Sequence, residues 1–271
     1  MIVPIADLDD PRLDDYRAVR DRHLRGEAGD AGLFIGEQAL VVEKMLAVDG
    51  LTKSVLAAEG HVQRIASLVP EDVPLYVLPP DEMSRVVGFP IHRGLLAVGH
   101  RPLPESHALD AAVPRRPGPL CVLACEGITN TDNIGLLFRN AAAFGVDAVV
   151  LDPQCHDPLY RRALRVSIGH AVTMPWARST AWPADLERLR DEWGLTLVAA
   201  SPGPGSIPLD DLPPPERVAL VVGTEQAGLS QAALALCDLR VRIPMAEGVD
   251  SLNVAVAAAV CLHRLSRGHR R

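Results

Sequence analysis

The sequence predicts an α/β protein in two parts, with a doubly wound parallel sheet in the C-terminal half and a smaller α/β domain ahead of it. Three observations carry this. Short apolar runs alternate with amphipathic stretches along most of the chain. In the C-terminal half the apolar runs are continuous, as strands are when helices cover both faces of a parallel sheet. Between the halves lies RPLPESHALDAAVPRRPGP, residues 101–119, rich in proline and without a clear period.

Taken in order, Asp10-Pro11 offers an N-cap and first-turn pair to a helix running through Leu13, Tyr16 and Leu24. Strands are expected at 33–35, 52–58, 75–78 and 95–99, with helical spacing over 37–48, 61–68 and 81–87. The N-terminal domain is therefore set at 1–105 and the linker at 106–118. From 119 to 271, strands are expected at 120–125, 148–151, 195–200, 218–223 and 239–245. Helices are expected at 133–144, about 159–168, 184–193, 230–236 and 252–266. In such a sheet, ligands sit beyond the carboxyl ends of the strands.

The 271 residues are 48% hydrophobic and 23% charged, which is the balance of a chain that folds into packed cores. The N-terminus has no basic stretch followed by an apolar one, and the longest apolar run, Val254 to Leu262, is far short of a bilayer span, so a cytoplasmic protein without a membrane role is expected. Five cysteines without a CxxC pair suit buried thiols in a reducing compartment, and no metal site is expected. A net charge of -7 argues against non-specific coating of nucleic acid but leaves room for a local basic cluster. Arg161, Arg162, Arg165 and Arg178 form one.

Three segments carry chemistry. In NTDNIGLLFRNAAAFG, from Asn130 to Gly145, apolar residues surround the helix and only Arg139 and Asn140 break the pattern. A charge on a buried helix must be paired or serve a site, and either reading fits these residues alone. In VALVVGTEQAGLS, 218–230, a buried strand runs into Gly223, where a ligand can approach the backbone, and then Glu225 at the carboxyl edge. In IPMAEGVDSLNVAVAAAVCLHRL, 243–265, polar Asp250, Ser251 and Asn253 gather where an apolar helix begins, as caps or as ligand contacts.

NIGLLFRNAAAFG, LVVGTEQAGLS and IPMAEGVDSLNVAVA, in this order, resemble the three motifs of the SpoU (TrmH-like) RNA ribose methyltransferases of the SPOUT superfamily. DPLYRRALRVSIG, 157–169, is similar to the family's segment between its first two motifs. Residues from about 30 to 100, closing on HRGLLAVG, resemble an RNA-binding domain related to ribosomal proteins that many members carry. The resemblance implies a deep trefoil knot in the C-terminal domain, a homodimer, S-adenosylmethionine as methyl donor, and a ribose 2′-hydroxyl of RNA as acceptor, with 23S ribosomal RNA favoured. A transfer RNA substrate, or an RNA-binding homologue that has lost transfer, is the alternative. It also implies Asn133, Arg139, Glu225, Ser251 and Asn253 as catalytic residues, with Ala200, Gly223, Ile243, Met245 and Leu252 around the cofactor and Arg161, Arg162 and Arg165 on RNA. Thr224 and Ala255 depart from the family's common residues without removing an expected catalytic group. A nucleotide-dependent oxidoreductase is the competing reading, and it lacks GxGxxG after the first strand.

Overall fold

A computed structural model describes residues 2–17, 32–88, 91, 94–249 and 251–266 of the chain. The chain forms two compact units, Met1–Pro104 with Pro158–Thr173, and Glu105–Asp157 with Met174–Arg271.

The first unit is built on a mixed sheet of β1 (Ile2–Pro4), β2 (Leu33–Glu37), β3 (Thr52–Ala58), β4 (Leu75–Leu78) and β5 (Leu95–His100), in the order β1-β4-β3-β5-β2. β1, β4 and β3 run parallel, whereas β5 is antiparallel to β3 and β2. Its helices are α1 (Ala39–Leu46), α2 (Val62–Ile65) and α3 (Pro80–Val87). β1 was not expected, because three residues at an exposed edge leave no readable period. The Asp10-Pro11 start is real, with the Asp10 carboxylate accepting from Arg12 N, but the element is a 3₁₀ helix that closes at Tyr16. The remainder of the helix expected through Leu24 lies outside the described residues. Tyr16 is fully buried, hydrogen-bonded to Ser54 Oγ at 2.7 Å and edge-on to Tyr76.

The second unit is a seven-stranded parallel sheet flanked by helices. Its elements in chain order begin with α4 (Leu109–Ala112), β6 (Leu120–Cys125), α5 (Thr131–Ala143) and β7 (Ala148–Leu151). The chain then passes to the first unit for α6 (Arg161–Val166) and α7 (His170–Thr173). It returns for β8 (Trp176–Arg178), α8 (Ala184–Trp193), β9 (Thr196–Ala200), β10 (Ile207–Pro208), β11 (Arg217–Val222), α9 (Gln231–Leu236), β12 (Leu239–Arg242) and α10 (Val254–Leu265). Strand order is β10-β12-β9-β11-β6-β7-β8, every pair parallel. β6 and β7 are buried at every residue, which matches their unbroken apolar runs. Leu120, Val122 and Ala124 face a core shared with Leu186, Leu189 and Trp193 of α8. α10 lies against β9, β11 and α5.

Several expectations change. The proline-rich stretch carries α4, whose Leu109 and Ala112 enter the core together with Val113. The strand expected at 239–245 ends at Arg242, so Ile243 to Met245 lead into the loop instead. α5 and α10, apolar on all sides in sequence, are not buried on all sides: Arg139 and Ala143 of α5 are exposed, and Val256 and Val260 of α10 are 49% and 40% exposed.

Candidate active site

The strand order reverses direction at the β6–β11 boundary, because β7 and β8 extend the sheet on one side of β6 and β9 to β12 on the other. Loops leaving the carboxyl ends of β9, β11 and β12, with the start of α10, enclose a hollow of about 420 Å³. Ala200, Gly223, Ile243, Met245 and Leu252 all line it, as do Glu225 and Ser251.

The turn after β11 shapes one wall. Thr224 N donates to Gly228 O at 3.2 Å and Gly228 N to Thr224 O at 3.0 Å, while the Thr224 hydroxyl accepts from Ala227 N at 3.0 Å. Gly223 has a reason for being glycine that differs from the one read in the sequence. A Cβ there would stand 2.6 Å from Leu229 N and closer still to the Gly228 carbonyl, so the protein's own turn occupies the space. Cys261 of α10 lines the same hollow, and burial pushes its thiol up to about 12.

Three segments distant in sequence meet at Glu225. Asn130 caps α5, its side chain accepting from Asp132 N and Asn133 N, which sets Asn133 in the first turn. Asn253 caps α10 in the same way, its Oδ1 accepting from Ala255 N at 3.0 Å and Val256 N at 3.3 Å. That leaves the Asn253 amide N–H groups free to donate to Glu225 Oε1 at 2.6 Å and Asn133 Oδ1 at 2.9 Å. Asn133 Nδ2 donates to the same Glu225 oxygen at 2.9 Å. One carboxylate oxygen is thus held by two amides, an acceptor geometry that fixes all three side chains at the rim of the hollow.

The remaining expected residues stand apart from this cluster. Ser251 is exposed and lines the hollow but is not bonded to the three. Arg139 is six residues beyond Asn133, roughly 9 Å along the helix and about 120° around it. It is exposed and forms no ion pair or hydrogen bond with a described residue. No structural ion pair therefore explains it. Arg161, Arg162 and Arg165 lie on α6, in the first unit. Arg178 belongs to β8 of the second unit, and its guanidinium donates to the carbonyls of Asp152, Cys155 and His156, holding that loop.

Comparison with known proteins decides the family. A model of the SpoU rRNA Methylase family matches residues 120–263, which is more than half of the chain. The chain belongs to the SpoU rRNA methylase family. Across 98% of its length it is 42% identical to an uncharacterized tRNA/rRNA methyltransferase of Mycobacterium tuberculosis strain H37Rv, covering 92% of that protein. It is 30% identical over 90% of its length to RlmP of Bacillus subtilis, a 23S rRNA (guanosine(2553)-2′-O)-methyltransferase, and covers 92% of it. Its fold is that of the AdoMet-bound rRNA methyltransferase of Sinorhizobium meliloti, with TM-score 0.79 and 23% identity over 99% of this chain and 98% of that one. This SpoU-family chain is accordingly an RNA methyltransferase, with an α/β fold on a parallel sheet that resembles those of its structural neighbours. Among the described residues, no helix is long and apolar enough to cross a membrane, and no cluster of His, Cys, Asp or Glu is placed to hold a metal ion.

Sequence reasoning missed Arg242, the cation lining the hollow, and Glu126 and Asp152 beside it. Arg242 ends β12 and donates to the Ser206 carbonyl. Glu126 accepts from Trp182 Nε1 and Ser230 N, both at 2.8 Å, and from the Ser230 hydroxyl at 2.7 Å. A carboxylate one residue past an apolar strand was a readable signal for each acid.

Proposed function

We propose that this enzyme transfers a methyl group from S-adenosylmethionine to a ribose 2′-hydroxyl, with 23S ribosomal RNA as substrate. The observation that carries the reading is the convergence of Asn133, Glu225 and Asn253 at the rim of a hollow lined by all five residues assigned to the cofactor. The hollow suits that cofactor in size and chemistry. About 420 Å³ lies in the range of small-molecule sites, and the lining pairs apolar Val222, Val241, Leu252 and Ala257 with one carboxylate and one guanidinium. A donor bearing an apolar-faced base, cationic centres and a carboxylate meets a partner for each part.

When bound, S-adenosylmethionine supplies an electrophilic methyl group on a sulfonium. The chain's contribution is positioning and charge. The locked trio holds donor and acceptor in contact, the kind of effect worth about 7–11 kcal/mol in well-oriented reactions. The Glu225 carboxylate, held by Asn133 and Asn253 in the wall of the hollow, would offer a negative charge to the cationic donor. Transfer would form the oxygen–carbon bond as the sulfur–methyl bond breaks, leaving a neutral thioether, with the hydroxyl proton passing to water, and a nearby cation lowers the cost of the developing negative charge. Arg139 fits that electrostatic work and the holding of a phosphate, because a guanidinium is too basic to take the proton at neutral pH.

Within one chain Arg139 does not reach the trio, and the same reading resolves this with a homodimer. Val256 and Val260 leave an apolar strip uncovered on α10, the helix that packs on α5, and a second copy laid there would bring in its own Arg139. The reading also gives the C-terminal chain the family's trefoil knot, and the first unit, with Arg161, Arg162 and Arg165, the work of gripping RNA. Cytoplasmic placement follows from such a substrate. RlmP supports the choice of 23S ribosomal RNA and of the 2′-oxygen.

The test is methylation of protein-free 23S RNA with labelled S-adenosylmethionine, followed by nuclease digestion and mass analysis of nucleosides. A 2′-O-methylated nucleoside is expected, and a base-methylated one refutes the reading. Mixing Arg139→Ala chains with Asn133→Ala chains should restore activity at one site per heterodimer. Verified heterodimers without activity would show that each chain uses its own arginine.

A further inference from the structure

The Thr224–Gly228 turn has a second hollow on its other side, of about 340 Å³, which shares Thr224, Ala227 and Gly228 with the first. It opens among the loops that follow β6, β7, β8 and β11, and so straddles the point where the strand order reverses. Open α/β sheets bind ligands at that point.

Its polar lining is acidic, but the two acids differ in availability. Glu126 is filled by three donors from Trp182 and Ser230. Asp152 is only 3% exposed, and its Oδ1 accepts from Gln154 N at 3.0 Å and Cys155 N at 2.8 Å. Both backbone donors go to Oδ1, so Oδ2 is the oxygen left to face the hollow. The Cys155 thiol donates to Cys125 O at 3.4 Å and also lies against the Asp152 carboxylate, and burial together with that carboxylate pushes the thiol up. A carboxylate oxygen that lines a hollow and carries no backbone donor is open to an N–H from a ligand or from water. Trp182, half-buried and held by Glu126, adds an aromatic ring to the lining.

We propose that this hollow receives a nucleobase of the RNA substrate, selected for an exocyclic amine that donates to Asp152 Oδ2. The ligand class follows from the lining: an aromatic ring suits a planar base, and a single open carboxylate oxygen requires an N–H donor and repels a carbonyl in its place. The adjoining hollow holds the methyl donor, so a base seated here belongs to the modified nucleotide or its neighbour. This inference rests on the RNA-methylation reading.

The test titrates the full-length enzyme with nucleoside monophosphates in two pairs, CMP against UMP and GMP against IMP, each differing at an amine, and follows binding by saturation-transfer NMR. The amine-bearing member of at least one pair should bind about tenfold more tightly, as a hydrogen bond to a charged group allows. Asp152→Asn keeps the Oδ1 acceptor and should erase that preference. Gln154→Trp, at an exposed position on the rim, should weaken every nucleotide by crowding the opening. Calorimetry with S-adenosylmethionine on the same proteins separates the two ideas. Loss of cofactor binding in the unaltered enzyme defeats the methylation reading. Intact cofactor binding with equal affinities inside both pairs, or with a preference that survives Asp152→Asn, overturns the base hollow alone.

Discussion

Replacing Gly223 with Ala adds one carbon where the structure has no room for it. The new Cβ would stand 2.6 Å from Leu229 N and nearer to the Gly228 carbonyl, all backbone atoms that cannot rotate aside. The turn must therefore open, and opening it breaks the Thr224–Gly228 pair of hydrogen bonds at 3.2 and 3.0 Å. Two such bonds contribute about 1–3 kcal/mol together, and overpacking of this kind costs about 1–3 kcal/mol. Partial relaxation leaves about 2–4 kcal/mol, which for a unit of this size lowers Tm by roughly 5–15 °C. Because the turn walls the cofactor hollow and carries Glu225, affinity for S-adenosylmethionine should fall at least tenfold. Differential scanning calorimetry and isothermal titration on Gly223→Ala measure both. A variant that melts with the parent and binds the cofactor normally would refute the argument that this turn is packed shut and shapes the site.

Other expectations rest on separate features. Gln38 precedes α1 at φ 87 and ψ 147, a region that only glycine occupies without strain, so Gln38→Gly should raise stability by about 1 kcal/mol in thermal melts. Asn253→Ala should cost about 1 kcal/mol through the lost cap and abolish methyl transfer, while Asn253→Asp should keep the cap yet still lose activity by setting a second carboxylate against Glu225; a fully active Asp variant would remove the amide from the mechanism. Burial pushes the Cys121 and Cys261 thiols up to about 12, and raises Cys125 and Cys155 as well. The unfolded chain then loses these protons near pH 9 while the fold keeps them, so stability should fall above pH 9 by about 1.4 kcal/mol per pH unit for each thiol, readable in urea melts. At pH 8, half-buried Cys237 should alkylate before the other four.

The parts of this molecule that could be read in advance are those where one local pattern decides the outcome. β6 and β7 are unbroken apolar runs, β9 and β11 are apolar after their first residues, and all four fold as parallel strands with buried centres. Glu225 and Asn253 stood out as polar residues at strand-to-helix junctions, Asn133 was named only through the resemblance of its motif, and the structure places the three together. β8 and β10, with three and two residues, fall below the length at which a period exists. Arg139 was legible as an anomaly but not its direction, since exposure depends on which helix faces the chain leaves uncovered. Asp152 was legible only as a carboxylate just past an apolar strand, because its two backbone donors and its neighbours across the turn come from folding, not from spacing.

The excursion of Pro158–Thr173 has a consequence for biosynthesis. Gly169 there lies against Val41 and Lys44 of α1, so the N-terminal unit includes a piece of chain that follows it by more than fifty residues. A nascent chain leaving the ribosome can pair β1 to β5 early, but α6 and α7 emerge only after β6, α5 and β7 have been made. The first unit must wait, incomplete, while the second is begun. A fragment starting at residue 115 would carry α6 and α7 without the surface they cover, so severing the chain once cannot yield two intact halves.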